Sequence, residues 1–125
     1  MKAFPENFKS AVLDKARQNY EAEKENWKQQ RRRRFLDDLV FLHTLHYSEN
    51  RIYHAECEYE HLDWELEVLQ ELAQQSGVTV TLLVDHYETN DHLQKKKVRT
   101  EMAVDERILN NRDDVTRILC RISFE

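Results

Sequence analysis

The chain has 125 residues, 40% apolar and 34% charged, with one glycine, one proline and a formal net charge of −5. That length can bury a core without metal or disulfide support and predicts a single domain over residues 1–125. Glycine-rich phosphate loops are excluded, no run approaches the ~18 apolar residues of a membrane span, and two cysteines form no disulfide framework.

The N-terminus, Met1 to Ser10, lacks the apolar run of a signal peptide, so a soluble cytoplasmic protein with free thiols is expected. Pro5 is well placed to open a helix. Phe8, Val12, Ala16 and Tyr20 follow at spacing four, with Leu13 alongside. From Glu21 to Arg34 only Ala22 and Trp27 are apolar, and no Gly or Pro interrupts. Residues 5–48 therefore predict one long helix or two. Phe35, Leu36, Leu39, Val40, Leu42, His43 and His46 restore a broad apolar face before the turn Ser48-Glu49-Asn50.

Ile52, Ala55, Tyr59, Leu62, Leu66, Leu69 and Ala73 recur at spacings of three and four, the seam of an amphipathic helix. Asn50 can cap its start, and Gly77 is placed to end it. Tyr53, Ala55, Cys57 and Tyr59 also alternate with polar residues in a strand pattern. The helical seam is the longer of the two and its residues favour helix, so a helix over 51–76 is predicted. A short connection makes the two helical segments antiparallel neighbours. Beyond Gly77, Val78 to Val84 has a strand composition. Val98, Thr100, Met102 and Val104 alternate within a second strand over 92–104, and Ile118, Cys120, Ile122 and Phe124 do so within a third. The turns fall at Thr89-Asn90-Asp91 and Asn110 to Asp114. The expected fold is α+β: an N-terminal antiparallel helical hairpin packed on a C-terminal three-stranded antiparallel sheet, a β-meander over 78–124.

Charge is segregated. Lys24 to Leu36 carries six basic residues against Glu25 alone, and Glu49 to Leu72 carries eight acidic residues against Arg51 alone. Such patterning concerns a partner or an internal contact. Consecutive arginines on a helix point to all sides. Some of Arg31, Arg32, Arg33 and Arg34, with Lys28, should pair with the acidic segment, and one or two should reach solvent. Arginine's planar fork suits phosphate. Lys95, Lys96, Lys97 and Arg99 form a second basic spot. These nine residues are the candidate partner- or phosphate-contacting set.

Other chemistry finds little support. His54, Cys57 and His61 would share a helical face, with His43 and His46 opposite, but their spacing matches no strong zinc pattern. No nucleophile elbow or phosphate loop is present, so no catalytic residue, metal or cofactor is predicted. Leu69 to Tyr87 resembles the helix-turn-helix of bacterial repressors, with Ala73 and Gly77 at the packing and turn positions and Val78 and Leu83 as core contacts. Its continuation through His86, Tyr87 and Leu93 resembles a TetR-type regulator. That resemblance implies a DNA-binding transcriptional regulator, although its recognition helix, Thr79 to His86, would carry Asp85 and no Lys or Arg. Helices followed by a curved sheet also resemble, in shape alone, the nuclear-transport-factor-2-like cone fold of small enzymes and ligand binders.

The leading expectation is a small non-catalytic interaction or inhibitor protein. It would act on a protein or nucleoprotein machine, or directly on RNA or DNA. Compact, charge-segregated chains of this style are similar to phage and mobile-element accessory proteins, including CRISPR nuclease inhibitors. A homodimer through Tyr20 and Trp27 is a further expectation.

Overall fold

A computed structural model describes residues 3–45, 51–58, 60–104 and 114–125. The element order is α1 (Phe8–Leu45), β1 (Ile52–Glu56), α2 (Leu62–Ala73), β2 (Val78–Thr89), β3 (Lys95–Ala103) and β4 (Val115–Phe124). The α+β class stands, with four strands instead of three. The predicted turn at Ser48-Glu49-Asn50 and most of the one at Asn110 to Asp114 lie outside the described residues.

The first helix runs unbroken for 38 residues, about 57 Å at 1.5 Å per residue. Its weakly apolar middle stays helical because uninterrupted Glu, Lys, Gln and Arg favour helix and because Lys24, Lys28, Arg31 and Arg32 find carboxylates on α2.

The predicted helix over 51–76 is corrected to a strand followed by a shorter helix. Over Ile52–Glu56 the alternation wins: Tyr53 and Ala55 pack on the core while Ile52, His54 and Glu56 are exposed. Five residues cannot decide between helix and strand by periodicity, and the free edge of β4 decides it by pairing with β1 from Ile52↔Ser123 to Glu56↔Leu119. Tertiary pairing thus overrides helix propensity. Because β1 carries the chain back before α2 begins, α1 and α2 run in the same direction. Tyr20 meets Trp64, Lys24 meets Glu67, and Arg32 meets Glu71. The antiparallel hairpin is therefore replaced by a parallel helix pair.

All strand pairs are antiparallel, in the order β1-β4-β2-β3. The meander is corrected too, because β4 returns past β3 to lie between β1 and β2. The twelve-residue β2 is the most buried strand and takes partners on both sides. Lysine-rich β3 is left at the edge, where Lys95, Lys96 and Lys97 discourage pairing with another chain. The β2–β3 turn is built by Asn90, whose Oδ1 accepts from the His92 and Gln94 N–H groups at 3.0 and 2.9 Å. Gly77 (φ 75°) joins α2 to β2 in the left-handed region that favours glycine.

The core lies between the helices and one face of the sheet. Leu66, Val68 and Leu69 of α2, with Phe35 and Leu39 of α1, cover Val80, Leu82 and Val84 of β2 and Ile118, Cys120 and Ile122 of β4. A buried ion pair joins the two helices: the Arg31 guanidinium donates to both oxygens of Glu65 at 2.7–2.9 Å and lies over the Phe35 ring at 4.5 Å.

Cys57 and Cys120 are both buried free thiols. The Cys57 N–H donates to the Ile118 carbonyl at 2.9 Å, which sets Cys57 diagonal to Cys120 across the strands. Diagonal Cα atoms lie ~7–8 Å apart, beyond the usual disulfide span of ~4.4–6.8 Å. Contact with the Cys120 sulfur, together with burial, holds the Cys57 thiol protonated above the ordinary range. Both thiols are expected to resist alkylation in the folded protein and to react fully in denaturant, as followed by intact mass. A native mass two hydrogens short would count against this arrangement.

Candidate nucleic-acid interface

The helices cover one face of the sheet, and among the described residues no element packs on the other, here called the bare face. Alternation places Leu83, Asp85 and Tyr87 of β2 on the bare face, with Lys97, Arg99 and Glu101 of β3 and Arg117, Leu119 and Arg121 of β4. This face has two zones. In the first, Arg121 on β4 donates to Glu101 on β3 at 2.9 Å, spanning β2. Leu83 and Leu119 lie in this zone and are buried, although no helix among the described residues covers them.

The second zone, toward the β2–β3 turn, is cationic. Asp85 sits on the central strand with Arg99 as its partner on β3 and Arg117 on β4. Arg99 donates to the two Asp85 oxygens at 2.7 and 3.1 Å. Hydrogen bonding from Arg99, then the charges of Arg99, Lys97 and Arg117, holds the Asp85 carboxyl below the usual carboxylate range. Arg99 alone is hydrogen-bonded to this carboxylate, while Lys97 and Arg117 act on it by charge, so positive charge is left in excess. A β-bulge adjoins it: the register steps from Asp85↔Arg117 to His86↔Val115, and the Thr116 hydroxyl donates to the Asp85 carbonyl at 3.1 Å. Next along β2, Tyr87 is 45% exposed and faces Lys97 across the strands. Lys95 lies opposite Thr89, with Lys96 pointing to the other side opposite Glu88. Cations around an exposed aromatic ring can hold phosphates while a base stacks.

The nine predicted contact residues separate into distinct environments. Lys95, Lys96, Lys97 and Arg99 belong to this strand edge, Arg99 being spent partly on Asp85. In the arginine block, Arg31 turns into the core, so it cannot serve as a surface contact. Burial alone would lower its pKa, but the Glu65 carboxylate outweighs that and raises it. Lys28 lies between Glu67 and Glu71 at 3.6 and 3.4 Å. Arg32 is forked onto Glu71 at 2.8 and 2.9 Å and also reaches Glu25. Arg34 is exposed and 4.0 Å from Asp38. Arg33 is exposed, with no ion-pair partner among the described residues. The charge segregation of the two segments is therefore largely an internal helix–helix contact.

Other sequence expectations resolve here. Residues 78–89 are strand, so no recognition helix follows Gly77 and the helix-turn-helix reading is overturned. Trp27 is not a free surface residue: it packs edge-on against Trp64 and beside His61. With β1 a strand, His54, Cys57 and His61 do not share a helical face. His54 lies on the bare sheet face, Cys57 in the core, and His61 stacked on Trp64 at 4.3 Å. Among the described residues no group of His, Cys, Asp and Glu is arranged to hold a metal, and no helix is long and apolar enough to cross a membrane.

Tyr87, Arg117 and Asp85 were missing from the candidate set. Their signal exists only in the register, since Tyr87 and Lys97 are ten residues apart and become neighbours through the hairpin. Comparison with protein-family models, curated proteins and solved structures finds no match.

Proposed function

We propose that this chain is a small non-catalytic interaction protein that contacts the phosphate backbone of a nucleic acid, free or within a nucleoprotein machine. Its bare sheet face near the β2–β3 turn is the contact surface. The observation that carries this reading is the cluster of Lys97, Arg99 and Arg117 around one carboxylate, beside the exposed ring of Tyr87. The cations supply affinity without sequence preference, and the ring supplies a stacking platform for an unpaired base. A single-stranded segment fits best, because an open sheet face can present stacked bases as RNA-binding sheets do. Inhibition of a nucleic-acid enzyme in the cytoplasm, in the manner of phage accessory proteins, follows naturally: occupying the strand blocks the machine without chemistry.

Fluorescence anisotropy with a labelled single-stranded oligonucleotide tests this. Lys95→Gln with Lys97→Gln should weaken binding and flatten the log–log salt slope by about 0.7 per lysine. Tyr87→Ala should weaken binding by ~1–3 kcal/mol while leaving the salt slope nearly unchanged. Arg33→Gln with Arg34→Gln asks whether the exposed end of the arginine block shares the contact. Wild-type protein that binds no oligonucleotide at low salt, or lysine and tyrosine variants that bind as wild type does, would remove the basis of the reading.

A further inference from the structure

The N-terminal third of α1 projects from the core. Its first described contact with another element is Tyr20 against Trp64. Residues 8–19 therefore extend about 18 Å of helix beyond that contact. This segment is apolar on one side. Phe8 is 51% exposed, Val12 47%, Leu13 57% and Tyr20 52%, and Phe4, 68% exposed, packs its ring on Phe8 at 5.1 Å. A helix that projects into solvent needs no such stripe, and this one carries it where no described element covers it.

We propose that a second copy of this chain covers the stripe, the two α1 segments packing antiparallel about a twofold axis between Val12 and Ala16. Two observations select this occupant. The seam Phe8, Val12, Ala16 and Tyr20 is symmetric about position 14, so antiparallel pairing sets each Phe8 opposite the partner copy's Tyr20 and each Val12 opposite its Ala16. A twofold interface must match itself in this way. The area is adequate too. At ~200 Å² for a whole aromatic side chain and somewhat less for an aliphatic one, the exposed fractions amount to roughly 500 Å² per copy. The pair then reaches about 1,000 Å², the lower bound for a specific interface. Antiparallel packing also leaves the two cores at opposite ends of the helix pair, with both bare sheet faces outside the contact. The inference does not depend on nucleic-acid binding.

Sedimentation equilibrium of the full chain tests it. The wild type should show a concentration-dependent monomer–dimer equilibrium, and Val12→Glu should weaken it at least about tenfold by burying an unpaired carboxylate at the seam. Val12 has no described tertiary contact, so the variant should keep the wild-type circular dichroism and should melt with the wild type at concentrations low enough for both to be monomeric. Single-cysteine additions resolve the orientation, since Cys57 and Cys120 are buried. A mixture of Val12→Cys and Ala16→Cys proteins should form the mixed disulfide in preference to either homodimer. Wild-type protein that stays monomeric throughout, a Val12→Glu variant that dimerises as the wild type does, or crosslinks confined to like positions would each overturn the proposal.

Discussion

Glu65→Ala is expected to cost about 3–5 kcal/mol of folding stability, because it leaves the Arg31 guanidinium buried without its counter-charge. Arg31 is 9% exposed and Glu65 fully buried. The guanidinium places three hydrogen bonds on the carboxylate and a longer one, 3.4 Å, on the Glu56 carbonyl. Removing the carboxylate frees two donors, Nε–H and one N–H of Nη2, where water cannot reach them easily. Burial holds the Glu65 carboxyl above the usual carboxylate range even with Arg31 against it. At Arg31 the balance is reversed, the carboxylate outweighing burial, so desolvation and pairing nearly offset each other across the two partners and the pair itself is no large source of stability. The double variant Arg31→Met with Glu65→Leu should accordingly recover most of the loss. Urea denaturation of both variants makes the comparison. A Glu65→Ala protein with an unchanged midpoint would mean that Arg31 swings out to solvent, and a double variant as unstable as the single would mean that the pair contributes net stability.

The same pair explains what the sequence could and could not disclose. A run of four arginines beside an acidic segment correctly suggests that some charge is neutralised internally. Which arginine goes inward depends on where α2 begins, and that in turn depends on whether Ile52–Glu56 is strand or helix. Placing the helix too early also made α1 and α2 antiparallel and hid β1. Beyond Gly77 the strand composition of Val78 to Val84 competed with a recognition helix over Thr79 to His86, whereas the β-branched alternation in β4 and in the second half of β3 agrees with the final sheet. Strand order was not legible, because neither turn residues nor alternation records that β4 pairs with β2 and β1 in place of β3. The basic face was half legible for the same reason: Lys95 to Arg99 stands out in the sequence, while Arg117 and Tyr87 join it only through the register.

Leu66→Ala is expected to destabilise the protein by about 2–5 kcal/mol, the cost of lost burial plus a residual cavity. Leu66 lies within α2 and is 0% exposed, in the cluster with Leu69, Leu82, Ile118 and Ile122. The parallel arrangement of α1 and α2 leaves α2 as the element laid most directly on β2, so its central leucine has close-packed neighbours that relax only partly when it is truncated. The predicted seam was right about this residue even though its first turns belong to β1: Leu62, Leu66, Leu69 and Ala73 keep helical spacing, and the two middle positions are the buried ones. Leu36→Ala is the matched control. Leu36 is 62% exposed on α1, so the same truncation there should stay within about 0.5 kcal/mol. Denaturation midpoints at equal m-value decide between them. Equal small shifts for the two variants would mean that α2 is not anchored on the sheet by this leucine, and a large shift for Leu36 alone would move the stabilising contact from α2 to the outer side of α1.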